Sequence, residues 1–86
     1  MEPYEVILYP LMGEKATHLR EKENVLTFIV DKASTKKDIK EAAEKMLNVK
    51  VVDVRVMIAM DGNKKAHVKL DKKHSADEIA SHMGVL

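Results

Sequence analysis

The reactive chemistry this chain offers is cationic. Thr35-Lys36-Lys37-Asp38-Ile39-Lys40 sets three lysines at the start of an amphipathic segment, and Arg55, Lys64, Lys65 and Lys69 lie close together further on. The first turn of a helix already carries partial positive charge, so each misplaced cation there costs roughly 0.3–1 kcal/mol. The same turn has free amide N–H groups and is an anion site in its own right. Phosphate oxygens satisfy the amides and the lysines together, which resolves the conflict. A phosphodiester backbone lying across Lys36, Lys37 and Lys40, and across Arg55, Lys64, Lys65 and Lys69, is therefore the expected ligand.

The four histidines, His18, His67, His74 and His82, carry no comparable signal. No HExxH, paired-ligand or nucleophile-elbow pattern surrounds them. His74 and His82 stand too far apart across a helix start for a simple chelate pair, and His18 and His82 read as helix-surface residues. A small phosphatase needs an anion loop with a placed Arg and Asn near the first strand, and Pro10-Leu11-Met12-Gly13 offers neither. Neither an enzyme nor a metal or other cofactor is expected.

The 86 residues carry a formal net charge of only +1, but the distribution along the chain is uneven. Residues 32–40 sum to +3 and residues 62–74 to +4, whereas residues 1–24 and the last twelve each sum to −2. Two basic segments between acidic ends are the electrostatic mark of a polyanion binder. With only Tyr4, Tyr9 and Phe28 as aromatics and no basic-Gly-aromatic strand motif, stacking on splayed single-stranded bases is poorly supported. Helix-turn-helix spacing and a zinc-finger ligand set are both missing. Phosphate and shape recognition of a structured RNA fits best.

Eighty-six residues allow one domain, 1–86. A chain of this size buries about 60–65% of its unfolded surface, so a partner adds usefully to its stability. Hydrophobic residues make up 45% and charged residues 34%, as in a soluble fold with a highly charged surface. There is no cysteine, no signal-peptide pattern and no apolar run near the roughly 18 residues of a membrane span. A cytoplasmic protein without membrane insertion is expected.

The elements that must position the cations can be read from periodicity. Tyr4–Tyr9 reads as a strand stopped by Pro10. A helix from Gly13-Glu14-Lys15 turns Met12, Ala16 and Leu19 to one side and closes at Asn24. Val25–Val30 is a second strand. A central helix capped by Thr35 and Asp38 presents Ile39, Ala42, Ala43, Met46 and Leu47 to the core. A β-hairpin follows, with Val52, Val54, Val56, Ile58 and Met60 alternating against Ala66, Val68 and Leu70. Keeping the faces matched pairs Ile58 with Ala66 and Val56 with Val68 around a three-residue loop Asp61-Gly62-Asn63. That register sets Arg55 opposite Lys69 and Met57 opposite His67, a second like-charge conflict. A last helix starts at Ser75, is boxed by Glu78, buries Ala76, Ile79, Ala80 and Met83, and ends at Gly84. The expected fold class is α+β, a four-stranded antiparallel sheet with packed helices in the order β-α-β-α-β-β-α.

These residues resemble the twenty-third protein family of the large ribosomal subunit, found at the mouth of the peptide exit tunnel. Pro10-Leu11-Met12-Gly13-Glu14-Lys15-Ala16 is similar to that family's Pro-x-x-Ser/Thr-Glu-Lys-Ala/Ser opening. Phe28-Ile29-Val30-Asp31 with Thr35–Lys40 resembles its second strand and central helix. Asn48-Val49-Lys50-Val51 and Lys64-Lys65-Ala66-His67-Val68-Lys69-Leu70 resemble its hairpin, where Lys-Lys-Ala-Tyr-Val is the recurrent form. The match spans Tyr4 to Gly84. Gly13 replaces the usual Ser or Thr, His67 replaces a Tyr, and Arg55-Val56 stands at a usual Asn-Thr, leaving Arg55 to reach the RNA backbone in place of that Asn. The very short hairpin loop resembles the archaeal form.

The resemblance implies binding to large-subunit ribosomal RNA beside neighbouring ribosomal proteins, near the exit tunnel. It also implies a docking platform for signal recognition particle, for the protein-conducting channel and, in bacterial members, for trigger factor. Glu14 matches the acid used in that docking. With Lys15, Lys32, Asn63 and His67 added, the expected RNA-binding set is Lys15, Lys32, Lys36, Lys37, Lys40, Arg55, Asn63, Lys64, Lys65, His67 and Lys69. The competing reading is a small protein-interaction or ligand-sensing α/β domain without RNA. Such a domain has no reason to gather lysines against a helix dipole.

Overall fold

The computed structural model describes residues 2–83. Its elements run α1 (Pro3–Val6), β1 (Ile7–Pro10), α2 (Glu14–Glu23), β2 (Val25–Val30), α3 (Lys36–Leu47), β3 (Val51–Ile58), β4 (Lys64–Leu70) and α4 (Ala76–His82). The strands form one antiparallel sheet in the order β1-β2-β4-β3. This is the expected α+β class, with one helical turn added at the start.

β2 is paired on both edges and buried at all six positions, as its unbroken apolar and β-branched sequence VLTFIV requires. Leu26, Phe28 and Val30 share a core with Val54, Ala66, Val68 and Leu70 of the sheet. Ile39, Ala42 and Ala43 of α3, with Ala76 and Ala80 of α4, close over it. Thr27 alternates to the opposite face, where α2 approaches the sheet and Glu23 lies 3.8 Å from Arg55.

α2 holds to the body by polar contacts more than apolar ones. Its buried residues are Ala16 and Arg20, whereas Met12 is exposed. Arg20 Nε donates to Asp77 Oδ1 of α4 at 2.8 Å. Asn24 ends the helix in the left-handed region (φ 59), as its position suggested. Its side chain also takes a structural load. Nδ2 donates to His74 O at 2.8 Å and Oδ1 accepts from Ala76 N at 2.8 Å, pinning the β4–α4 connection.

Several local expectations are corrected. The first strand begins only at Ile7, because Pro3 with Glu2 and Glu5 forms a boxed helical turn. Proline at the first helical position has its φ already set, and this outweighs the strand-like composition. Pro10 is the last residue of β1 and not a stop before it, which an edge strand tolerates because proline's missing N–H deprives no outer neighbour of a ladder bond. On α3 the Thr35–Asp38 box forms in both directions (3.1 and 3.0 Å), yet Met46 is exposed while Leu47 packs against the core. Ser75 Oγ accepts from Glu78 N at 3.3 Å, and Ile79 and Met83 pack against the core only half-buried. The expected stop at Gly84 lies outside the described residues.

The hairpin register differs by two residues. Val56 faces Ala66, Val54 faces Val68 and Ile58 faces Lys64. The chain reverses over Met60, Asp61 and Gly62, with Ala59 N donating to Asn63 O at 2.8 Å and Gly62 at φ +88. A three-residue hairpin loop needs its left-handed residue last, so Gly62 belongs at the end of the loop and not in its middle. The core face survives because a two-residue shift preserves alternation. Arg55 consequently faces His67, and Lys69 faces Asp53, so the expected Arg55–Lys69 repulsion does not occur.

A bulge between Val51 and Asp53 makes a further change. Val51 is 1% exposed and Val52 is 50% exposed, so Val51, and not Val52, is the core residue. Val51 N donates to Glu44 Oε2 of α3 at 3.0 Å. Met60 and Ile58 likewise stand in solvent at the hairpin end. Urea unfolding should separate the two valines. Val51→Thr is expected to cost about 1–3 kcal/mol by burying a hydroxyl, and Val52→Thr to stay within about 0.5 kcal/mol as a surface change. Equal losses would contradict the bulge.

Candidate nucleic-acid interface

Strand β3 organises the cations, because it is an edge strand with one group beside it and another across it. The first group belongs to α3. Thr35 caps the helix with extended backbone, and Asp38 returns a carboxylate oxygen to Thr35 N. That bond, with the Thr35 hydroxyl, holds the Asp38 carboxyl below its ordinary value. Lys36, Lys37 and Lys40 are all exposed, and with Val52, Asp53 and Val54 they line an open groove. The N–H groups of Lys36 and Lys37, at the first two helical positions, have no intrahelical acceptor. The bulge shapes the groove, since it turns Val52 outward beside the lysines.

The second group is spread over three elements on the sheet face that α2 approaches. Lys15 comes from the first turn of α2, Arg55 from β3 and Lys65 from β4, and all three act on His67. His67 is 5% exposed, with Nδ1 3.1 Å from Thr27 Oγ1. Burial first, then the charges of Arg55, Lys65 and Lys15, pushes this imidazole below its ordinary 6.5. Glu23 is the opposing carboxylate, 3.8 Å from Arg55.

The remaining expected residues sit apart from these two groups. Lys64 alternates to the other face from Lys65, and its Nζ donates to the carbonyls of Lys32 and Ser34, tying the hairpin to the loop before α3. Asn63 donates from both N–H and Nδ2 to the Asp61 carboxylate, at 3.0 and 3.1 Å, and so braces the hairpin loop. Lys32 and Lys69 are exposed, the latter across the ladder from Asp53. Glu14 is exposed at the first position of α2, just after the Gly13 cap, where the dipole favours an acid. His18 and His82 are exposed on their helices, and among the described residues no three His, Cys, Asp or Glu side chains form a metal-holding group.

Two contributors escaped the sequence reading, Thr27 and Glu23. Thr27 had a detectable signal as the only polar residue in VLTFIV. Glu23 had none, since nothing local links the end of α2 to Arg55 more than thirty residues away.

The arrangement can hold a polyanion in two places, a groove at a helix start and a tripod of cations over a buried imidazole. A family model described as ribosomal protein L23 matches residues 5–78. A large ribosomal subunit protein uL23 from Methanococcus aeolicus is 39% identical over 85 residues, covering 99% of each chain. One from Pyrobaculum aerophilum is 52% identical over 76 residues, covering 88% of this chain and 94% of its own. Both relatives are archaeal ribosomal proteins, in line with the resemblance of the short hairpin loop to the archaeal form. With a match across nearly its whole length, this chain belongs to the ribosomal protein L23 family.

Proposed function

We propose that the protein is a structural constituent of the large ribosomal subunit in the cytoplasm, binding ribosomal RNA near the polypeptide exit tunnel beside neighbouring ribosomal proteins. The observation that carries this reading is the placement of cations on both sides of β3, at positions where the free domain gains nothing from them. Lys36 and Lys37 oppose the dipole of α3, and Lys15, Arg55 and Lys65 crowd a buried histidine. A phosphodiester backbone relieves both conflicts, and a partner recognised through apolar surface relieves neither. Lys32, Lys40, Asn63, Lys64 and Lys69 extend the same basic surface, with Lys64 and Asn63 chiefly holding its loops in place.

Factor docking belongs to a different part of the molecule. Glu14 stands exposed at the first turn of α2, and the neighbouring Met12 is exposed too. An exposed acid beside an apolar side chain suits a basic protein partner, and signal recognition particle and the protein-conducting channel are the factors proposed.

Binding to a large-subunit ribosomal RNA fragment across a salt series, with transfer RNA as competitor, tests the RNA reading. Log affinity should fall linearly with log salt, each engaged phosphate adding roughly 0.7–0.9 to the slope. Binding abolished by competitor would leave only a generic basic surface. Reversal of both Lys36 and Lys37 to Glu should lower the slope while stabilising the free domain by about 1–2 kcal/mol in urea. A weaker fold with intact RNA binding would overturn the role given to α3. Glu14→Lys should impair docking of a purified signal recognition particle on assembled subunits and leave RNA affinity within about twofold, since it adds a cation. Equal loss of both would remove the docking role.

A further inference from the structure

We propose that His67 takes up a proton when a phosphodiester binds over Lys15, Arg55 and Lys65, so that RNA binding by this sheet face is linked to pH. The inference rests on the RNA-binding reading above and deepens it. The imidazole lies where its charge depends on what covers it. Thr27 from β2 contacts it at 3.1 Å, Arg55 faces it from β3, Lys65 and Lys69 share its face of β4 on either side, and the charges of Lys15 and Glu23 on α2 act on it. Burial first, and then three cations against one carboxylate, disfavour the charged ring in the free domain. A phosphate placed on those cations cancels their repulsion and adds an attraction of its own, which favours the charged ring against the cost of its burial.

The Thr27 contact makes this change inexpensive. A hydroxyl donates to a neutral ring nitrogen and accepts from a protonated one, so the 3.1 Å contact serves both states. The proton comes from solvent and rests on the imidazole, and no other bond changes. Linkage then sets the signs. In the free domain the depressed value means stability is full above 6.5 and is lost as pH falls through the folded value. In the complex the ring titrates higher than in the free domain, so RNA affinity rises as pH falls from the value of the bound ring toward that of the free one. A difference of one unit between the two gives about tenfold in affinity.

Two readouts test it. The His67 ring proton is titrated by NMR in the wild-type domain, free and bound to a large-subunit ribosomal RNA fragment. The dissociation constant for that fragment is then measured from pH 5.5 to 8 at fixed salt, for wild type and His67→Gln. The expected result is an upward shift of the His67 titration on binding, and a pH dependence that exceeds that of the variant, which keeps His18, His74 and His82. RNA that binds without moving the His67 titration would overturn the proton linkage and leave the RNA reading standing. Failure to bind at any pH would overturn both. The NMR titration uses the wild-type domain, so it decides the question even if His67→Gln folds poorly.

Discussion

Strand β2 leaves the chain almost no freedom in how the rest is arranged. It is hydrogen-bonded along both edges and buried on both faces, so whatever packs against it must be apolar or must arrive already paired. On one face α3 and α4 supply Ile39, Ala42, Ala43, Ala76 and Ala80. On the other, the one polar residue of the strand, Thr27, is matched by His67. With the centre committed in this way, every charged group must sit at the periphery, at the start of α3, along β3 and over the face that α2 borders.

That periphery is electropositive but tempered. Asp38 lies within the lysine cluster of α3 and bonds to Thr35, Asp53 faces Lys69 across the ladder, and Glu23 lies near Arg55. Each group of cations thus has at least one nearby carboxylate, which softens self-repulsion in the free domain without neutralising it. A polyanion bound as proposed would replace weak, solvated carboxylate contacts by several phosphates at once, and exposed ion pairs offer little resistance to that exchange. The arrangement suits a protein that must be soluble alone and bound in an assembly.

The two sheet edges are blunted by related means. β1 is four residues long, irregular between Ile7 and Tyr9, and ends in Pro10. β3 is longer, and its bulge at Val51–Asp53 twists the edge while opening the groove beside the lysines. One irregularity therefore serves two ends, guarding an edge and shaping a surface.

Much of this was legible in the residues themselves. β2 announced itself by composition, α3 by its capping pair and apolar spacing, and the close of α2 by Asn24, because each depends on neighbours within about one helical turn. The kinds of residue gathered at the candidate interface could be read locally too, since lysines against a dipole are a local conflict. The hairpin shows the limit of such reading. Alternation gives the face of each residue but repeats every two positions, so it could not distinguish Val56 opposite Ala66 from Val56 opposite Val68. The bulge that exchanged Val51 for Val52, the exposure of Met46, and the meeting of Thr27, Glu23 and Arg55 with His67 were decided only when the sheet closed. Those outcomes depend on pairings between strands and helices distant in the chain, or on where a helix comes to rest on the sheet, and no short-range pattern encodes either.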